Sequence, residues 1–404
     1  MPPMGVWSEV MSLSKPSLRE RMRLLRRGGY LGGYAEEDRI PWGMNWIYCP
    51  PSDAELYARN RGMRLSYGAG CYAGDSFGGG SCYIEITPHV QSVQSAVRTT
   101  GSKILRITYN TPVGSVYEER KLGVGAGRMV GLHSFRGINA FRTTVRPIKK
   151  PEDYDIVKFI VEDTEYTPYY EVYEIFKEIT GVYSRSAGIG HSPFVSMLID
   201  WAGPQRLYVD MVRRPDKVQG LYEALVKNHE ELYPIVLNAP ADVVSYGDHV
   251  DEVLIPPPIF EKYVLPIQNK FALMAHAAGK HVTIHMDGRV NGLKHLISKL
   301  EVDSINGLTP PPSGNLPIRE ALDIWPDKIL TINFDNSQYL YGPDAVKKSL
   351  LSLLREVIPG DRVTISPSTE HWVPPECLKV FADIMEKATL PLTHEKIDEI
   401  ERSV

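Results

Sequence analysis

His285 and Asp287 stand one residue apart at the end of the run HVTIHMDG (281–288), where apolar residues would otherwise continue a buried strand. An imidazole and a carboxylate at that spacing can share a divalent cation, or act as acid and base on a bound substrate. Side chains alternate faces along a strand, so Thr283, His285 and Asp287 share one face while Val282, Ile284 and Met286 take the other. The Cα atoms of His285 and Asp287 then lie roughly 6.5 Å apart, within reach of one ion. The plainer alternative is a hydrogen-bonded strand end with Asp287-Gly288 as a turn.

Other strand ends carry similar groups. ADVVSY (241–246) runs into Gly247-Asp248-His249, DSINGL (303–308) into Thr309 and three prolines, and ILTINF (329–334) into Asp335-Asn336-Ser337. RVTIS (362–366) leads to Ser368-Thr369-Glu370-His371-Trp372. Asp248, His285, Asp287 and Glu370 are the candidate metal ligands. His249, His371 and Asp335 are candidate catalytic groups, and Tyr246 and His191 candidate substrate contacts. Asp248 could equally cap a helix, and Glu370 and His371 could serve the helix entry at Pro374-Pro375. No HExxH helix is present, and the string Gly74-Asp75-Ser76-Phe77-Gly78 sits in the glycine cluster without the apolar strand and helical pattern of a nucleophile elbow. Cys377 lies within a helical pattern with no local signature around it. A mononuclear site of histidine plus carboxylates, with zinc the expected ion, fits the donor types best. A metal-free cleft using the same groups as acid and base is the other reading.

These residues need elements to hold them. Short apolar runs alternate with amphipathic ones from residue 240 onward: strands at 241–246, 281–286, 303–308, 329–334 and 362–366, helices at 258–280, 295–301, 318–325, 344–357 and 375–388. Alternation at about 30-residue spacing implies a parallel sheet covered by helices. Eight such units close an α/β (β/α)8 TIM barrel, which places functional groups at the C-terminal strand ends. A doubly wound open sheet is the alternative, but its glycine-rich first turn is missing. Upstream the units are weaker: a strand at 104–109, two helices over 151–181, a strand or helix turn at 194–199 and a helix at 214–233. Residues 1–100 read as an irregular extension on a single domain spanning 1–404. They hold helices at 16–27 and 53–60 and a glycine cluster (68–83) that lacks the GK[ST] of a phosphate loop.

Composition narrows the class. With 43% hydrophobic and 23% charged residues, the 404-residue chain is ordinary for a soluble globular protein. A net charge of −4 gives no field that would draw nucleic acid. The basic run RERMRLLRR (19–27) alternates with Met and Leu as an amphipathic helix would. Four cysteines, Cys49, Cys71, Cys82 and Cys377, form no CxxC pair, which suits reduced thiols in a cytoplasm. No apolar run approaches the roughly 20 residues of a membrane span.

The stretch AHAAGKHVTIHMDGRVNGLKHLISKLEVDSINGLTPPPSGNLPIREALDIWPDKI (275–329) resembles the second half of the uroporphyrinogen decarboxylase superfamily. Members carry a similar order of HxDG or HxCG, an apolar run, then TPPP. RVTISPSTEHWVPPE (362–376) is similar to the closing strand, and SLRERMRLLRRG with EEDRIPW (17–42) to the N-terminal signature. TPVGSVYEER (111–120) and IKKPEDYDIVKFIVEDTEY (148–166) also fit. The resemblance implies the (β/α)8 barrel and points to two chemistries. True uroporphyrinogen decarboxylases work without a cofactor and grip substrate carboxylates with an RQAGR-type motif, which is absent here. The other branch comprises zinc methyltransferases that exchange methyl groups with a corrinoid protein. Its thiol-activating members carry HxC where this chain has His285-Met286-Asp287, and a late cysteine near Ser368–Glu370. Both cysteines are replaced here, which implies a harder, oxygen-rich site suited to polarising the oxygen of a methyl ether.

The expected function is therefore transfer of a methyl group from a small O-methyl donor to a corrinoid. The alternative is a cofactor-free decarboxylase or lyase on a carboxylated substrate. No corrinoid-binding DxHxxG motif is present, the string Gly131-Leu132-His133-Ser134-Phe135-Arg136-Gly137 lacking both the Asp and the spacing, so the corrinoid is expected on a separate protein. Beyond that partner and a small methylated substrate, a homodimer is the expectation, with no nucleic acid and no membrane.

Overall fold

The computed structural model describes residues 38–45, 52–66, 71–75, 83–88, 103–122, 141–171, 173–174, 186–367 and 373–404. The chain divides into two compact units, Met1–Tyr72 with Pro168–Ser192 and Tyr233–Val404, and Ala73–Thr167 with Pro193–Leu232.

The first unit is built on parallel strands. These are β1 (Gly43–Asn45), β2 (Arg64–Ser66), β3 (Ser186–Gly188), β4 (Val243–Tyr246), β5 (His281–His285), β6 (Ser304–Leu308), β7 (Ile329–Asn333) and β8 (Val363–Ser366). Strands β3 to β8 form one sheet in chain order, every neighbouring pair parallel. Strands β1 and β2 form a second parallel pair. Trp42 bridges to Ile365 in the parallel sense, and Ile365 N–H donates to the Pro41 carbonyl at 3.0 Å, so β1 follows β8. Residues 43–66, read from sequence as part of an irregular extension, thus supply two strands that continue the parallel order. Among the described residues no ladder joins β2 to β3, and what stands is a mixed α/β fold with a six-stranded parallel sheet.

Register explains the sequence of each strand. Paired residues share a face, and the pairs Ser245↔Thr283, Thr283↔Ser304, His285↔Asn306, Asn306↔Thr331 and Thr331↔Thr364 gather polar side chains on one. The other face carries Val244, Tyr246, Val282, Ile284, Ile305, Leu330, Ile332, Val363 and Ile365, all buried. Each such aliphatic side chain contributes about 1.5–3 kcal/mol over an exposed one. The polar face is stabilised by internal pairing, with Thr364 Oγ1 donating to Thr331 Oγ1 at 2.8 Å and His281 Nε2 lying 2.8 Å from Ser304 Oγ.

Helices cover the apolar face as the periodicity predicts. Helix α1 (Asp53–Arg59) is capped by Ser52, whose Oγ accepts from Glu55 N–H at 3.2 Å. Helix α2 (Leu265–Ala277) follows a one-turn π segment, and α3 (Pro343–Glu356) and α4 (Pro375–Lys387) each begin on a proline. At the N-terminal edge of the sheet, fully buried Asp303 accepts from Val282 N–H (2.7 Å) and pairs with His276 Nε2 (2.9 Å). Burial pushes the Asp303 carboxyl up, but the His276 hydrogen bond, the charges of His281 and His276 and the Val282 amide outweigh it and hold it at about 2.

The second unit holds an antiparallel sheet in the order Tyr83–Pro88, Lys103–Thr111, Gly114–Leu122, Phe141–Val145. The strand expected at 104–109 therefore belongs to an antiparallel sheet. Of residues 151–181, whose pattern predicts two helices, the described part gives a helix at Asp153–Glu162, a strand at Glu165–Pro168 and helical backbone again at 171, 173 and 174, and the rest lies outside the described residues. Pro168 disfavours helical backbone at the residue before it, and Tyr166 and Thr167 suit extended structure. The run at 194–199 is a helix, Pro193–Ser196, followed by a π turn at Met197–Trp201. No helix among the described residues is long and apolar enough to cross a membrane. The helix expected at 16–27, Cys49, Cys82 and most of the glycine cluster lie outside the described residues.

Candidate functional site

At the C-terminal ends of β4 and β5 the structure brings together His249, His285 and Asp287, with one ligand atom from each within 4.8 Å of the others. Strand parity delivers His285 to the polar face, as the alternation of HVTIHMD requires. Asp287 follows just beyond the strand, its Oδ2 3.4 Å from His285 Nε2. Its Oδ1 lies 3.3 Å from His249 Nδ1. The rings of His249 and His285 meet edge to face with centroids 5.2 Å apart, and His191 stands 6.0 Å beyond His249.

Two residues not anticipated from the sequence shape this cluster. Asn306, the register partner of His285, presents Oδ1 2.8 Å from His285 Nδ1. That acceptor assigns the ring proton to Nδ1 and turns Nε2 toward Asp287. Gly307 then makes a bulge in β6 with φ +86°. A Cβ there would lie 2.8 Å from His285 Cε1 and 3.0 Å from Nδ1, so the bare backbone is the surface on which the ring rests. The sequence signal was present: a glycine inside a strand marks a bulge or a close backbone approach.

Loops lock the cluster from above. Gly288 packs so tightly that a Cβ would fall 2.5 Å from the Val250 carbonyl oxygen. Asp251 Oδ2 accepts from Arg289 N–H at 3.0 Å, and Glu252 N–H donates to the Arg289 carbonyl at 2.8 Å. Asn315 ties the next loop in, accepting from Val290 and Asn291 N–H and donating to Glu252 Oε1. The loops after β4, β5 and β6 are thereby joined, which fixes His249 against Asp287.

The remaining expectations divide. Asp248, expected among the ligands, is fully buried away from the cluster; its Oδ1 accepts from Ser192 N–H and its Oδ2 from Gln268 Nε2, each at 2.7 Å. Burial raises its carboxyl above the ordinary value, and these hydrogen bonds oppose that only in part. Its work is to anchor the loops that carry His191 and His249. Tyr246 is a correction of the same kind: its ring is buried and packs on Phe271 of α2 at 5.2 Å, on the helix side of the sheet, so it does not face the cluster. Asp335 caps the turn Asn336–Tyr341, accepting from Ser337 N–H and Oγ and from Gln338 Nε2 at 2.9–3.0 Å. Those contacts hold its carboxyl below the ordinary value against the upward push of burial. His249, read as a proton donor, joins the cluster with its Nδ1 3.3 Å from Asp287 Oδ1. Glu370 and His371 lie outside the described residues.

The neighbouring imidazoles keep Asp287 ionised. Partial burial pushes its carboxyl up, but the hydrogen bonds and charges of His285 and His249 outweigh this and hold it well below the carboxylate range. The 3.3 and 3.4 Å separations run to the two different oxygens of Asp287, and one ligand atom from each residue lies within 4.8 Å of the others, so the three side chains converge on one volume of ion size. Two imidazoles and a carboxylate, with an outer hydrogen bond orienting one imidazole, are donors that fit zinc; among the described residues these three leave a fourth position open. His249 is half exposed, which puts that position on the solvent side.

Comparison with known proteins identifies a family for the chain. Residues 138–384 match the family described as uroporphyrinogen decarboxylase (URO-D). No curated protein matches the chain. Among solved structures, a methyltransferase from Methanosarcina mazei is similar at 13% identity, over 65% of this chain and 73% of that one, with a TM-score of 0.43. With more than half of its length matched and the histidine–carboxylate pair inside the matched segment, the chain belongs to the uroporphyrinogen decarboxylase family.

Proposed function

We propose that this protein is a methyltransferase that takes a methyl group from a small O-methyl donor and passes it to a corrinoid held by a separate protein. The observation that carries the reading is the trio His249, His285 and Asp287, with His285 oriented by Asn306. In this reading the parallel strands close into the barrel by pairing β2 with β3, with the trio at its mouth. His249 Nδ1, His285 Nε2 and Asp287 would hold zinc, which supplies a Lewis acid to polarise the donor oxygen. Asn306 keeps the Nδ1 proton of His285 in place, so Nε2 serves the cation. Asp287, held below the usual carboxylate range, stays ionised and balances positive charge in the site. His191 lies next in line beyond His249 and is assigned the proton for the leaving oxygen.

Among the described residues the ligand set is nitrogen and oxygen only, which supports an oxygen-directed reaction over a thiol-directed one, since soft thiolate acceptors pair with cysteine-rich zinc sites. The test is elemental analysis of purified, chelator-free protein beside His249→Ala, His285→Ala and Asp287→Ala. About one zinc per chain, lost in all three variants, is expected, followed by methyl-donor turnover with an added corrinoid protein. Wild-type protein without metal would overturn the reading and turn attention to carboxylated substrates and a cofactor-free decarboxylase.

A further inference from the structure

Asn333 closes β7 with a side chain that reaches across to the bulge in β6. Its Nδ2 donates to the Gly307 carbonyl at 3.0 Å and to Thr309 Oγ1 at 3.1 Å, and Thr309 Oγ1 donates to the same carbonyl at 3.0 Å. We propose that Asn333 is a positioning residue for the metal site: with Thr309 it clamps the Gly307 bulge and so sets the place of His285 and Asp287. The inference rests on the reading of these two residues as ligands and names the device that holds them.

A bulge at this point needs such a clamp. Asn306 pairs with Thr331 and Leu308 with Ile332, so Gly307 is an extra residue without a register partner on β7. An extra residue disrupts the ladder locally and bends the strand that carries it. Parity puts Asn333 on the polar face with Thr331. Its amide thus supplies two donors from β7 just where the register slips. The effect reaches the site because Gly307 has no side chain. A Cβ there would lie 2.8 Å from His285 Cε1 and 3.5 Å from Asp287 Cβ. One α-carbon therefore bounds both residues, and a shift of the bulge moves them together.

The chemistry of the amide points the same way. Both hydrogens of Nδ2 are committed to the clamp, which fixes the amide in one orientation; turned over, it would set Oδ1 against the Gly307 carbonyl. In the orientation observed, Oδ1 is buried and has no hydrogen-bond partner among the described residues. A buried acceptor without a donor costs stability. The strength of the sheet therefore does not explain an asparagine at 333, whereas the need for two donors aimed at one bulge does.

The experiment compares the full chain with its Asn333→Ala, Thr309→Val and Ile332→Val variants in two ways. ¹⁵N NMR of the zinc-free chains, with the His285 ring signals identified by their loss in His285→Gln, reads the tautomer and mobility of the ring. Chelator competition reads zinc affinity. Asn333→Ala is expected to replace one His285 tautomer by a mixture or to broaden its signals, and to weaken zinc about tenfold, as for loss of an outer-sphere contact. Thr309→Val is close in size and removes one corner of the clamp. It should move both readouts in the same direction by less, which tests the inference even where Asn333→Ala does not fold. Ile332→Val loosens the same strand from its buried apolar face; it should lower Tm and leave His285 and zinc as in wild type. Unchanged His285 signals in both clamp variants, or the same change in Ile332→Val, would overturn the inference. A wild-type chain that binds no zinc would instead sink the methyltransferase reading, and the ring signals of the zinc-free chains would still decide the clamp.

Discussion

Replacing Gly307 with alanine tests the geometry of the site without touching a ligand. The new Cβ would sit 2.8 Å from His285 Cε1, where ordinary contact begins near 3.4 Å, so the ring must retreat by about 0.6 Å. Cε1 lies between the two ring nitrogens, and both move with it. The 2.8 Å contact with Asn306 is stretched. Nε2 shifts by about three times the ±0.2 Å tolerance of a metal–ligand bond. A left-handed φ of +86° costs a further 1–2 kcal/mol or so for an L residue.

We therefore expect a total destabilisation of about 2–3 kcal/mol. For a unit of this size that lowers Tm by about 4–6 °C. Zinc affinity should fall by about tenfold to a hundredfold, as for loss of an outer-sphere contact. Calorimetric melting and chelator competition measure the two effects. Gly279→Ala is the matched control, because Gly279 has φ +70° and open space around its Cβ position. It carries the backbone strain without the contact, so the difference between the variants isolates the ring displacement. Equal Tm losses in both variants, with zinc affinity unchanged in Gly307→Ala, would refute the packing of His285 on this backbone.

Other perturbations follow from the same contacts. Asn306→Leu removes the acceptor for His285 Nδ1–H; zinc affinity should drop about tenfold, and ¹⁵N NMR of the His285 ring should show a mixture of tautomers in place of one. Asp248→Ala leaves Ser192 N–H and the Gln268 amide buried without their acceptor, at a cost of about 2–4 kcal/mol in denaturant melts. Zinc stoichiometry should persist, and its loss with stability intact would return Asp248 to the ligand set. Asp303 has a folded pKa of about 2, below its unfolded value, so its stabilisation is complete above about pH 4 and is lost as pH falls through about 2. Its size is about 2–3 kcal/mol. The stability gap between wild type and Asp303→Asn should shrink across that window, and a constant gap from pH 6 to pH 2 would show that the carboxylate charge is not the source.

How much of this was legible beforehand depends on the range of the interaction. The alternation in HVTIHMD is local, and it assigned Val282 and Ile284 to the helix side and His285 to the polar side as the structure has them. Tyr246 obeys the same local rule: its parity puts it with Val244 and Ile284 on the helix side, where it packs on Phe271. Gly247 then ends the alternation, and nothing in Gly-Asp-His says which side chain turns inward. Burial beside Ser192 and Gln268 decides it, and both come from distant segments. Strand β1 is three residues long amid glycine and proline, and its place beside β8 rests on a bridge to Ile365, more than three hundred residues away. The Asn306–Gly307 pair is the instructive middle case. Its meaning lies in the register of β6 against β5, which a sequence pattern does not state, but its form, an amide and a glycine inside an apolar strand opposite an HxD pair, has little purely structural use. A polar side chain costs core stability and a left-handed glycine costs chain entropy. Their occurrence side by side, opposite His285, is best explained by a need to hold one imidazole in one orientation.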